Sequence, residues 1–298
     1  MTNDKLEIFS VDSLTDNRQL ADELYAFGKR WGIELGWHYI LDLLWILTEL
    51  GPIQPGMRVL DAGAGFGLMQ WWLAEHGADV ISVDKVSRAE LSVRFYSRYH
   101  LKGMRSGDLY PRGELAARRL GGADGVDPAG ALRALASIPL SFLTPKAEGS
   151  VTFYNEDLAR LDELEDGRMD AIVAVSSLEH NTMEAFPGVY QELMRVLKPG
   201  GVLLASLGAS AGEDWYHEPS SGWCYSEASL RKMYHLGADA VSNYDRYEEL
   251  FEKIRSCDEL RVKLAPFYTT MPNSGMPGGV WDPQYQPVGV RKMKPERE

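Results

Sequence analysis

Cysteine is scarce in this chain. Only Cys224 and Cys257 occur among 298 residues, and neither belongs to a Cys-x-x-Cys pair. This suggests neither a disulfide framework nor a zinc site, and two isolated thiols suit a reducing compartment. Basic charge is also short: 31 Lys and Arg stand against 43 Asp and Glu, for a net charge of −12. Such a surface repels phosphate backbones and anionic membranes, so small molecules or peptides are favoured as ligands over nucleic acid. Long hydrophobic runs are missing. Met1-Thr2-Asn3-Asp4-Lys5 leads into mixed polar sequence without the apolar core of a signal peptide. The most apolar early stretch, Tyr39 to Leu50, carries Asp42 and Glu49 and is too short to span a bilayer. The expected location is cytoplasmic. No internal repeat is found. Hydrophobic residues at 45% and charged residues at 25% are ordinary for a globular chain. The length suits one α/β domain with appendages, or two small domains.

Hydrophobic spacing then divides the chain. Leu20, Leu24 and Phe27, followed by Ile40, Leu43, Leu44 and Leu47, repeat at helical intervals, so 15–50 reads as helical. Gly51-Pro52 stops that region and Pro55-Gly56 turns the chain. Met57 to Ala62 reads as a buried strand, Gly63 to Gly67 as a glycine-rich turn, Leu68 to His76 as a helix, and Val80 to Val83 as a second strand. Ser87 to Tyr99 is a helix candidate. The alternation resumes with strands at Val151–Tyr154 and Ala171–Val175, a helix at Glu184–Leu197, the stop Lys198-Pro199-Gly200-Gly201, and a strand at Val202–Leu207. Alternating strands and helices with right-handed crossovers predict an α/β fold with a doubly wound, mostly parallel sheet. From about 101 to 150 the pattern breaks, which reads as an insertion: a surface excursion, or a lid or dimer contact. The expected parts are a helical N-terminal segment (1–56), a core (57–207, insertion about 101–150) and a C-terminal extension (208–298). In the extension, 244–264 reads as a charged helix and Pro287–Lys292 as a final strand.

The chemistry concentrates in Val59-Leu60-Asp61-Ala62-Gly63-Ala64-Gly65-Phe66-Gly67, where a strand runs into a Gly-x-Gly-x-Gly turn and then a helix. Glycines admit backbone angles that other residues avoid and let a ligand approach the main chain. Asp84 follows Asp61 by 23 residues, at the end of the next strand. An acid there accepts hydrogen bonds from ribose hydroxyls. A dinucleotide fingerprint would need its third glycine at position 68, which is Leu68, so that match fails.

The run Val59-Leu60-Asp61-x-Gly63-x-Gly65-x-Gly67 resembles the first motif of the class I S-adenosylmethionine-dependent methyltransferases, whose fold is Rossmann-like. Asp84 matches the ribose-binding acid of that family, and Asn155-Glu156-Asp157-Leu158 resembles its adenine-binding element. Met169 to His180 resembles the fourth-strand motif, and Leu193 to Gly201 the helix and turn before the fifth strand. The resemblance spans about 57–207. It implies S-adenosyl-L-methionine as cofactor, held by Asp61, Gly63, Ala64, Gly65 and Gly67, by Asp84 and Lys85, by Asp157 and Leu158, and by Ser176. Asp157 would accept from the adenine amino group, and Leu158 would offer its backbone N–H.

Methyl transfer to oxygen or nitrogen needs in-line placement and, for a neutral acceptor, a base. His180, just after the fourth strand, is the first candidate base, and His217 is the alternative. The segment Asp214 to Tyr225 mixes aromatic and polar residues suited to an acceptor wall. Asp214, His217 and Glu218 match no metal motif, so no metal is expected. Lys29 to Tyr39 is a candidate cover for the cofactor, with core packing as the plainer role of its tryptophans. No Asn-Pro-Pro-Tyr-like sequence follows the fourth strand, where Ser176-Ser177-Leu178 stands instead, and no cysteine lies nearby. Those absences argue against base methylation, whether on exocyclic nitrogen or at cytosine C5. The expected acceptor is a small metabolite or sugar-containing molecule, with no nucleic acid and no membrane as partner; the residues imply no oligomeric state. The rival readings are a non-catalytic adenosyl-binding scaffold and aminopropyl transfer on the same fold.

Overall fold

The computed structural model describes residues 4–120, 146–270 and 275–296. The chain forms two compact units, one of residues 1–52 and 159–298, the other of residues 53–158. The first unit opens with strand β1 (Lys5–Ile8), followed by helices Ser13–Asp16, Arg18–Trp31 and Tyr39–Leu50. The strand was not expected, because Lys5-Leu6-Glu7-Ile8 is too short to show a period. Its alternate residues Leu6 and Ile8 are buried, as half-buried strand geometry requires.

The second unit carries β2 (Arg58–Ala62), β3 (Asp79–Val83), β4 (His100–Gly103) and β5 (Ser150–Tyr154) in the order β2-β3-β5-β4, all parallel. The helix Met69–Glu75 joins β2 to β3 and sets Trp71 into the core, stacked on Phe95 at 4.2 Å and 6.0 Å from Phe153. The helix expected over 87–99 is confined to Val93–Arg98. Residues 86–89 turn their backbone N–H groups elsewhere: Val86 to Asp84, Arg88 to Asn155 and Ala89 to the Ser87 hydroxyl. Of the expected insertion, β4 and the helix Arg112–Leu120 are described, and 121–145 lie outside the described residues.

The chain returns to the first unit with β6 (Met169–Val175), the helix Phe186–Val196 and β7 (Leu197–Ala209). Then come β8 (Trp215–His217), β9 (Gly222–Tyr225), β10 (Val241–Ser242) and β11 (Gln286–Met293). Strand order is β10-β1-β11-β7-β6, with β9 beside β7 and β8 beside β9. β6 and β7 are parallel, whereas β11 runs antiparallel between β1 and β7. The helix Tyr39–Leu50 is apolar nearly all round and buried from Ile40 to Leu47. A Cβ on Gly289 of β11 would lie 2.4 Å from the Trp45 ring, so the missing side chain lets the indole lie against the strand. The charged helix expected over 244–264 is broken into Tyr247–Arg255 and Asp258–Val262. Ser256 ends the first piece by donating its hydroxyl back to the Glu252 carbonyl at 2.8 Å, a local bond that competes with helix continuation. Both units are α/β, and parallel pairing prevails from β2 to β7.

Candidate active site

Nine of the sequence-predicted residues, from Asp61 to Leu158, lie in the second unit. The glycine turn is tied to the sheet at its root: Gly63 and Ala64 both donate to the Val83 carbonyl, at 2.9 and 3.0 Å, and Gly67 donates to the Ala64 carbonyl at 2.9 Å. Gly63 and Gly65 take left-handed φ values of 69° and 48°, which glycine adopts without a Cβ clash. Asp84 closes the turn. Its Oδ2 accepts from the Gly65 N–H at 2.8 Å, and its Oδ1 accepts from the Val86 N–H at 2.7 Å. A carboxylate has about four lone-pair positions, so one remains on each oxygen for a vicinal diol. Lys85 beside it is exposed. Asp157 is half-buried and Leu158 buried after β5.

Two further residues hold this turn, and sequence spacing did not single them out. Gln70, fully buried, donates its amide to the carbonyls of Gly65 and Gly67 and accepts from the Ser82 hydroxyl at 2.7 Å. Arg88 is 1% exposed and donates to the Ser82 and Tyr154 carbonyls, at 2.8 and 3.3 Å, and to the Gly65 carbonyl at 3.5 Å. Burial lowers the Arg88 pKa, opposed by Asp84, Asp61 and Asp108. Asp61 is 2% exposed, and desolvation pushes its carboxyl up to about 7, against the pull of Arg88. A buried carboxyl in that condition is one that a cationic ligand stabilises in its charged form. The glycine cradle, the open lone pairs of Asp84 and the buried acid Asp61 fit an adenosyl ligand bearing a ribose and positive charge.

Ser176, His180 and His217 lie in the first unit. Ser176 follows β6 with φ 42° although it is not glycine, and its buried hydroxyl has no partner among the described residues. Backbone held in that region by a non-glycine residue is strained, as at many ligand sites. His180 closes a short 3-10 turn and is exposed. Its Nδ1 donates to the Ser221 carbonyl at 2.9 Å, which leaves the Nε2 lone pair open. His217 is buried at the end of β8 and is linked to Ser220 through Nδ1 at 2.7 Å. The two histidines thus hold one turn, 218–222, through different residues. Glu179, next to His180 in the chain, is buried, and desolvation raises its carboxyl above the usual range, opposed by His180 and His38. Asp214 instead anchors the helix Glu227–Met233, accepting from Ser226 N–H at 2.7 Å and the Ser229 hydroxyl.

The first unit also joins residues that were not paired from the sequence. His38 Nδ1 lies 2.7 Å from Asp42 Oδ2, both buried, and His38 Nε2 lies 3.3 Å from the Tyr285 hydroxyl. The spacing of His38 and Asp42, one helical turn apart, was the available signal; nothing local pointed to Tyr285. Trp37 packs edge-on against Trp281 and Tyr285. Trp37, His38 and Tyr285, with His217, Tyr39 and Tyr268, line a cavity of about 80 Å³.

Residues 114–205 match the family model described as a methyltransferase domain. The match covers about a third of the chain. Outside the matched residues, the glycine turn and Asp84 resemble the cofactor loop of the class I S-adenosylmethionine-dependent methyltransferases. No curated protein matches the chain in sequence. Among solved structures, the cyclase SpnF superposes with a TM-score of 0.49 at 16% identity, covering 88% of this chain and 84% of that one. Phosphoethanolamine N-methyltransferase 2 of Haemonchus contortus, crystallised with phosphomonomethylethanolamine and S-adenosylhomocysteine, gives 0.48 at 17% identity, covering 96% of this chain and 60% of that one. The 1,6-didemethyltoxoflavin N1-methyltransferase of Burkholderia thailandensis gives 0.38 at 17% identity, covering 95% and 85%.

Proposed function

We propose that this protein transfers a methyl group to an oxygen or nitrogen of a small metabolite or sugar-containing acceptor. The observation that carries the reading is the closed glycine turn, with Asp84 bonded to Gly65 and still offering a lone pair on each oxygen. Asp84 receives the ribose hydroxyls, Gly63, Ala64, Gly65 and Gly67 let the ligand lie against the main chain, and Asp61 answers its positive charge. Lys85 flanks the ribose site, and Asp157 and Leu158 meet the adenine. When bound, S-adenosyl-L-methionine supplies an electrophilic methyl on a sulfonium.

The two candidate histidines differ in what they can do. The donation from His180 Nδ1 to a carbonyl fixes the proton there, so Nε2 is a base for an acceptor O–H or N–H. Nδ1 of His217 accepts from the Ser220 backbone N–H at 3.3 Å, so its proton sits on Nε2 and it acts as a donor. Burial lowers the His217 pKa, which keeps the ring neutral. The acidic surface, net −12, favours a small acceptor over nucleic acid. Among the described residues no helix is long and apolar enough to cross a membrane. The two free cysteines, one buried, are in keeping with work in the cytoplasm.

The test is calorimetric titration with S-adenosylmethionine and S-adenosylhomocysteine, with NAD as the control, followed by an acceptor screen with labelled methyl. Micromolar binding of both adenosyl ligands without NAD binding, and label in the product, is expected. A folded protein that binds neither overturns the reading. Binding without label transfer to any acceptor favours a scaffold.

A further inference from the structure

We propose that the cavity at the start of the helix Tyr39–Leu50 binds a phenolic hydroxyl. Tyr285, backed by His38 and Asp42, takes its proton, and His217 donates a hydrogen bond to its oxygen. The proposal rests on the methyl-transfer reading for its role, as the place where an acceptor becomes a nucleophile, but not for its binding.

The direction of each proton follows from the partners. The Asp42 carboxylate can only accept, so His38 Nδ1 carries the hydrogen at 2.7 Å and His38 Nε2 presents its lone pair to the Tyr285 hydroxyl at 3.3 Å. An aspartate so placed holds the imidazole in one tautomer and stabilises the imidazolium that forms when Nε2 gains a proton. The Tyr285 oxygen, donating to His38, keeps lone pairs with which to accept from a ligand. His217 is set in the opposite sense. Its Nδ1 accepts from the Ser220 N–H, and its buried Nε2–H has no partner among the described residues. An unmet buried donor is destabilising. Such a group is retained where a ligand supplies the acceptor.

The lining selects the ligand. Trp37, Tyr39 and Tyr268 present aromatic surface, and among the described residues no Lys, Arg, Asp or Glu lines the cavity. A phosphate or carboxylate would find no counter-charge there, whereas a neutral planar ring finds both surface and partners. The volume of about 80 Å³ exceeds that of an enclosed water and suits the hydroxyl-bearing edge of one ring. The step balances: the ligand O–H bond breaks, its proton goes to the Tyr285 oxygen, and the Tyr285 proton passes to His38 Nε2. The ligand is left as phenolate beside the His217 donor. The ionisable groups around this relay are Tyr39 and Asp42 from the helix, Glu179 from the 178–180 turn, His217 from β8, Cys224 from β9, and Tyr268.

The experiment uses the full chain with 4-nitrophenol, whose ionisation is visible in its absorbance, and its O-methyl ether, 4-nitroanisole, as the probe that cannot ionise. Below the pKa of free nitrophenol, the bound probe is expected to show phenolate absorbance. Tyr285→Phe and His38→Gln are expected to lower the bound phenolate fraction on the order of 10-fold, with nitroanisole affinity within about 3-fold of the parent. Adenosylmethionine binding should be unchanged in both variants, which shows that they fold. Nitrophenol that fails to bind, or that is bound equally ionised in parent and Tyr285→Phe, overturns the relay. Loss of adenosylmethionine binding in the parent protein overturns the proposed function and leaves the relay to be judged on the nitrophenol spectrum.

Discussion

Asp84 and Asp61 face the same turn and are held in opposite ways. Asp84 is half-buried and takes two backbone N–H groups, so its charge is met before any ligand arrives. Replacing it with alanine removes the proposed acceptor for two ribose hydroxyls and releases Gly65. At about 1.5–3 kcal/mol for a hydrogen bond to a charged group, Asp84→Ala should weaken adenosylhomocysteine binding on the order of 100-fold or more. The same titration calorimetry reads this, and an unchanged affinity would remove Asp84 from the site. Asp61 is buried with too little compensation, and its carboxyl rises to about 7. The folded protein therefore holds a proton that the unfolded chain, with an ordinary value near 4, has already lost. Its contribution to stability is complete below about pH 4 and fades as the pH rises through about 7. Urea unfolding at pH 5 and pH 8 should show stability falling more steeply in the parent than in Asp61→Asn. Parallel curves would mean that the acid is ionised in the apo protein. Asp61, Asp84 and the glycines were all recognisable by spacing alone, because a βα turn is local. Gln70 and Arg88 were not, since what they bond lies on other strands.

At the scale of elements, the helix Tyr39–Leu50 organises the first unit. Its apolar run buries it, Trp45 donates its indole N–H to Glu7 at 2.7 Å, and Gly289 makes room for the ring. Gly289→Ala places a methyl against a packed indole. It should cost about 1–3 kcal/mol in chemical denaturation, with little effect on adenosyl binding in the other unit. A Trp45→Phe background should recover part of that loss. In the second unit, Arg88 binds the glycine turn to β3 and β5. Removing it leaves buried carbonyls and acids unmatched, so Arg88→Ala should destabilise by about 3–5 kcal/mol. It should weaken adenosyl binding as well, whereas an effect on stability alone would make Arg88 a packing residue only. The element readings that failed did so for one reason. Side chains such as Ser256 and the acceptors around 86–89 divert backbone hydrogen bonds that periodicity assigns to a helix.

For the molecule as a whole, the first unit is assembled from both ends of the chain. Strand β1 lies beside β11, and Lys292 donates to Asp4 at 2.7 Å and to the His235 carbonyl at 2.9 Å, while Asp4 also accepts from the Met293 N–H. The pair is nearly buried, at 11% and 1% side-chain exposure, so Asp4→Ala strands a charge and should cost about 3–5 kcal/mol. Thermal and denaturant unfolding would show it; a change below about 0.5 kcal/mol, the range of ordinary surface substitutions, would mean that water already reaches Lys292. Neither end announces this pairing, because strands so short and so far apart carry no mutual signal. The same division runs through the protein. The α/β alternation, the glycine turn and its acid at the next strand end were set by residues close in sequence, where backbone geometry and side-chain spacing act directly. The company of His38, Asp42, Tyr285 and His217, and the proton that each must carry, was decided only when the chain closed. Hydrogen bonds across 247 residues, as between His38 and Tyr285, leave no periodic trace along the chain.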